Sequence, residues 1–178
     1  MKAILVRSAI AIVLTTSSGP IAAAKPAAEP SLVVTIVTGE RGKDSNSTTT
    51  TLTIRANTLV YTQRHQGAHS SARPAVKNEY QLTVGEKNQL LKSLHDKGLL
   101  VTKTLTTLSP QQGPGFYFSL VILSKLEGKQ HSITISLPRD TPKVKSDRLY
   151  QESVSLVEQL YRVINRTDPG ISMPTLIP

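Results

Sequence analysis

Thr50-Thr51-Leu52-Thr53-Ile54-Arg55-Ala56-Asn57-Thr58-Leu59-Val60-Tyr61-Thr62 is the stretch on which the architecture turns. Leu52, Ile54 and Ala56 alternate with Thr53 and Arg55, and after a one-residue change of phase Leu59 and Tyr61 resume the pattern. A period of two over such a run marks a strand with one buried face. The change of phase reads as a bulge near Asn57, which makes the whole stretch one strand. Upstream, Leu32 to Val37 is short and rich in β-branched residues. It stops at Thr38-Gly39-Glu40-Arg41-Gly42, as a strand entering a turn should. The two strands are expected to pair as an antiparallel hairpin with one buried face.

Downstream, Arg64 to Asn78 has no periodicity and reads as an exposed basic loop, carrying Arg64, His65, Gly67, His69, Arg73, Pro74 and Lys77. Thr83-Val84-Gly85-Glu86 has the form of a capping box, so a helix is expected to start there and run to about Lys97. Its core contacts are expected to be Val84, Leu90, Leu91 and Leu94, with Gly98 ending it in a left-handed conformation and Leu99 packing back. After an irregular Thr-rich stretch, Phe116 to Leu126 and Gln130 to Leu137 flank Glu127-Gly128-Lys129 and read as a second hairpin. Asp147 can cap a long helix whose apolar stripe is Leu149, Leu156, Val157, Leu160 and Ile164, closed by Asp168-Pro169-Gly170. The order β-β-α-β-β-α implies an α+β fold, a four-stranded antiparallel sheet with two helices on one face.

The N-terminus reads as an address. Lys2 and Arg7 precede the apolar run Ala9 to Leu14, and Ala22 and Ala24 supply the small side chains a signal peptidase requires. The expected organisation is a signal peptide over 1–24, an extended linker over 25–30, one α+β domain over 31–166 and a flexible tail over 167–178. The apolar run is far shorter than the roughly 20 residues needed to span a bilayer, so the chain is expected to be exported, secreted or periplasmic, with no transmembrane segment after cleavage. Cleavage would remove Lys2 and Arg7 and no acid. The formal net charge of +9 therefore belongs mainly to the domain.

The 178 residues hold no Cys, which excludes a disulfide framework, a thiolate metal site and a cysteine nucleophile. The sequence also has no Gly-rich phosphate loop, no G-x-S-x-G and no H-E-x-x-H. His65 and His69 are four apart, but Gly67 between them and the missing third ligand favour a solvated loop over a metal site. His131 falls in a strand and His95 near a helix end, where histidine complements the helix dipole. The carboxylates are dispersed and Glu86 is engaged in the cap. No catalytic residue, cofactor-binding residue or metal ligand is nominated, and no enzymatic activity is expected.

Binding chemistry is what remains. Clustered cations release counterions on meeting a polyanion, so Arg64, His65, His69, Arg73 and Lys77 are candidates for an anionic polymer or envelope surface. Only 4% of the residues are aromatic and none is Trp, which argues against a single-stranded nucleic-acid binder. A second candidate is the turn Gly39, Glu40, Arg41 and Gly42.

Thr38-Gly39-Glu40-Arg41-Gly42, Phe116-Tyr117-Phe118-Ser119-Leu120-Val121-Ile122, Gly128-Lys129-Gln130-His131-Ser132-Ile133-Thr134 and Leu156-Val157-Glu158-Gln159-Leu160, taken in order, resemble the emfourin-type group. These are small bacterial inhibitors of thermolysin-like metallopeptidases. The resemblance covers about Leu32 to Ile164 and implies a non-catalytic domain whose partner is a secreted peptidase. The chain departs from the pattern in its basic insertion between Gln63 and Tyr80, its longer Thr-rich connection and its export signal.

Overall fold

The computed structural model describes residues 30–41, 46–67, 74–106, 115–138 and 146–174. Seven strands form one sheet: β1 (Ser31–Arg41), β2 (Ser47–Arg55), β3 (Thr58–Gln66), β4 (Val76–Gln81), β5 (Lys103–Thr106), β6 (Gly115–Leu126) and β7 (Lys129–Pro138). Across the sheet they run β4-β3-β2-β1-β6-β7-β5. All pairs are antiparallel except β5 with β7, which is parallel. The helices are α1 (Val84–Asp96) and α2 (Arg148–Thr167). A mixed seven-stranded sheet thus replaces the expected four-stranded antiparallel one.

The difference begins at Asn57. The stretch read as one bulged strand is the hairpin β2–β3, closed by the pair Arg55–Thr58 around the two-residue turn Ala56-Asn57. Ile54 faces Leu59 and Leu52 faces Tyr61 across it, all four buried, so the change of phase is the turn itself. Ala56 takes φ 49, a conformation in which a Cβ is unfavourable, and the usual Asn-Gly or Asp-Gly signal is missing. The segment expected to be a basic loop contributes the end of β3 and the first half of the edge strand β4. In β4 only Tyr80 is buried while Lys77 and Glu79 are exposed, so no alternation marks it. The opposite edge, β5, is four residues long and lies in the stretch read as irregular.

Both helices form where expected, because their signals are local. Thr83 and Glu86 complete the capping box of α1, and Gly98 follows its end at φ 66. Asp147 accepts from the Leu149 and Tyr150 amides at the start of α2. The core is one cluster between a single sheet face and the two helices. It joins Leu32, Val34 and Ile36 of β1 with Leu120 and Ile122 of β6, and Leu90 and Leu94 of α1 with Leu156, Leu160 and Ile164 of α2. Val84, expected in the core, is 65% exposed, because the first turn of α1 overhangs solvent. The helices are tied together by Lys97 Nζ to Glu152 Oε2 at 2.6 Å, Ser93 Oγ to Gln159 Oε1 at 2.9 Å, and Arg166 to Glu86. Hydrogen bonds from the Thr83 amide and hydroxyl, more than Arg166, hold the Glu86 carboxyl below its usual range.

After α2, in the stretch expected to be a flexible tail, Ile171 and Met173 pack against the core. Residues 1–24, expected to be a signal peptide, and nearly all of the expected linker lie outside the described residues. Among the described residues no helix is long and apolar enough to cross a membrane.

Candidate functional site

Strand register places the long connections together. Gln66, Ser47, Gly39, Tyr117 and Pro138 lie opposite one another in a row across five strands. The segments 42–45, 68–73 and 107–114, which lie outside the described residues, join strands whose ends are here, and 139–145, also outside them, leaves the end of β7 here toward α2. The other end is closed by the tight turns Ala56-Asn57 and Glu127-Gly128. The strand ends that these long connections join therefore lie together at one end of the sheet, a common place for binding residues held on a rigid scaffold.

The candidate turn Gly39 to Gly42 is not a turn over most of its length. Gly39, Glu40 and Arg41 continue β1, Gly39 between Ser47 of β2 and Tyr117 of β6, and Glu40 and Arg41 opposite Phe116 and Gly115 of β6, while Gly42 lies outside the described residues. A Cβ on Gly39 would stand 2.7 Å from the Asn46 carbonyl oxygen, 2.9 Å from Ser47 Cβ and 3.0 Å from Tyr117 Cε1. The glycine lets neighbouring backbone approach. Gly39→Ala is expected to lower stability by about 1 to 3 kcal/mol through overpacking; a denaturant midpoint equal to that of the parent protein would contradict this. Glu40 is exposed, and its amide donates to Asn46 O at 3.0 Å.

Arg64, His65 and Lys77 stand on strands. His65 is half-buried, its Nδ1 3.0 Å from Thr48 Oγ1 on the neighbouring strand. Arg64 points to the opposite face and is exposed. Lys77 faces Thr62, two residues before Arg64, so Lys77 and Arg64 are diagonal neighbours on one face, about 7 to 8 Å apart. Lys77 Nζ reaches Glu79 Oε1 at 2.8 Å, an exposed pair that contributes little in water. His69 and Arg73 lie outside the described residues.

The face carrying Arg64 is the one no described helix covers. One row across it holds Thr62, Thr51, Thr35, Thr134 and Thr104 in mutual register, with Val121 between Thr35 and Thr134. The row on one side of it holds Arg64, Thr49, Val37, Ser119, Ser136 and Thr106, in which Ser119 Oγ lies 3.2 Å from Ser136 Oγ, and the row on its other side holds Glu79, Val60, Thr53, Val33, Leu123 and Ser132. Beyond the far rows, Arg55 and Lys125 flank Ser31 and are exposed. Arg55, Arg64 and Lys125 form no ion pair among the described residues, and Glu79 is the single acid among the described strand residues of this face. Sequence reasoning missed Arg55 and Lys125. The alternation of Thr and Ser along the strands was the available signal.

The described residues also hold a buried hydroxyl cluster beneath the helices. Tyr61 and Tyr161 meet edge to face with ring centroids 6.4 Å apart, and the Thr50 and Tyr161 hydroxyls are buried without a hydrogen-bond partner. Nearby, Asn78 Nδ2 donates to Asp168 Oδ2 at 3.3 Å and to Tyr80 OH at 3.2 Å. Burial raises the Tyr161 phenol well above its ordinary range, with Tyr61 adding to the effect. Among the described residues no group of His, Asp and Glu is arranged to hold a metal ion. Comparison with protein-family models and with curated proteins finds no match to this chain.

Proposed function

We propose that this chain is an exported, non-catalytic binding domain that engages a polyanion at the end of its sheet where the long connections begin and end. The observation that carries the reading is the placement of Arg64 and Lys77 as diagonal neighbours on adjacent strands, beside the connection that contains Arg73. Cations held on strands lose less conformational freedom on binding than cations on a free loop, and each counterion they displace adds to affinity. The Lys77–Glu79 pair is exposed enough to exchange for a stronger anion.

Peptidase inhibition, which the emfourin-type resemblance implies, is the second reading. Its support at this end is Phe116, 49% exposed and opposite Glu40, an apolar anchor of the type that fills a partner's pocket. Gly39 itself lies within the sheet, opposite Ser47 and Tyr117.

Salt separates the two. The protein titrated with heparin should bind at micromolar concentration or better, lose affinity steeply as ionic strength rises, and lose it again when Arg64, Arg73 and Lys77 are changed together to alanine. A thermolysin-like peptidase inhibited equally at two salt concentrations, with the triple variant as effective, would overturn polyanion binding in favour of inhibition.

A further inference from the structure

The uncovered sheet face has a composition that solvation alone does not require. Thr49, Thr51 and Thr53 run along it on β2 between Arg55 and the Arg64 row, Val33, Val37, Val60, Val121 and Leu123 lie among its hydroxyls, Glu79 is on its β4 edge, and it is seven strands, or about 29 Å, wide. We infer that this face is the bed for an extended anionic polysaccharide, continuing the polyanion site from Arg64 across Thr49, Thr51 and Thr35 to Arg55 and Lys125. The inference rests on the polyanion reading above and adds the surface and the class of ligand.

Three features point to a glycan. Threonine and serine hydroxyls both donate and accept, which matches sugar hydroxyls that do the same. The registered rows hold them at fixed spacing on a backbone already ordered by its ladders, so little freedom is lost on binding. Arg55 and Lys125 sit two strands apart, about 10 Å between Cα atoms, which spaces the cations for a chain carrying one carboxylate or sulfate per few sugar units.

Charge also selects against the other occupants. A second copy laid face to face would bring Arg55, Arg64 and Lys125 against their own kind, with Glu79 the single acid among the described strand residues of this face, and unpaired cations are costly to bury. Single-stranded nucleic acid would need aromatic platforms for its bases, and the Thr and Ser rows contain none.

The test uses the full chain and heparin as probe, with uncharged dextran and duplex DNA in parallel. Arg55→Ala combined with Lys125→Ala should weaken heparin binding about tenfold or more at low salt. The slope of log affinity against log salt should fall by about two, since each lost anion contact removes about one. Both residues are exposed, so the thermal midpoint should not move. Thr35→Glu, which puts a negative charge at mid-face, should weaken heparin binding while the circular dichroism spectrum stays that of the parent. Heparin affinity unchanged in both variants but lost in the Arg64, Arg73 and Lys77 triple variant would leave the polyanion reading standing and overturn the sheet-face bed. Loss of both readings would follow from no heparin binding by the parent protein. Duplex DNA bound more tightly than heparin, or a concentration-dependent dimer strengthened by removing Arg55 and Lys125, would replace the glycan with that occupant.

Discussion

Leu160→Ala is expected to cost about 2 to 5 kcal/mol. Leu160 is fully buried at mid-length in α2, next in the stripe to Leu156, Val157 and Ile164, all also fully buried. Truncation loses the transfer free energy of three carbons and leaves a cavity that a rigid sheet cannot collapse to fill. That is a large share of the 5 to 15 kcal/mol typical of a whole domain. Val84→Ala is the matched control. At 65% exposure it should change stability by under about 0.5 kcal/mol, although both positions are apolar and helical. Denaturant midpoints measure both, and equal shifts would mean that the face of α2 toward the sheet has been misassigned.

Raising the pH above about 10 is expected to unfold the domain steeply, with Tyr161 the main cause. Its phenol titrates far above the ordinary value in the folded chain, chiefly because it is buried and secondarily because of Tyr61. Tyr61, Tyr80 and Tyr150 are raised as well, each first by burial. An unfolded tyrosine releases its proton near pH 10, so above that point the folded state binds more protons than the unfolded one. The stabilisation is complete below pH 10 and falls as pH rises, by about 1.4 kcal/mol per pH unit for each phenol kept neutral. Tyr161→Phe should move the alkaline midpoint upward. It also deletes a buried hydroxyl whose interaction with Thr50 is poorly formed, so stability at pH 7 should change by no more than about 1 kcal/mol. Phenolate absorbance gives the direct check: five tyrosines ionising together near pH 10 while the chain remains folded would overturn the assignment.

The sequence alone determined what is decided within a few residues. The capping box at Thr83 and Glu86, the Asp147 cap, the left-handed Gly98 and the turn Glu127-Gly128 are local hydrogen-bond or dihedral requirements, and all four stand where the residues place them. The alternation in β1, β6 and β7 is similarly legible because each buries one face along its length. The Ala56-Asn57 turn was hidden by its chemistry, since neither residue is the glycine such a turn usually carries. Edge strands β4 and β5 were hidden by their position. A strand with one neighbour and few buried side chains needs no hydrophobic period, and the charges on β4 that made it look like a loop are those an exposed edge favours. Only tertiary structure could decide that β1 lies between β2 and β6, because strand pairing is set by contacts between residues far apart in the chain. That placement turned Gly39 from a loop residue into a packing one. It also aligned hydroxyls and cations from five separate segments on one face, a juxtaposition that no window of the sequence contains.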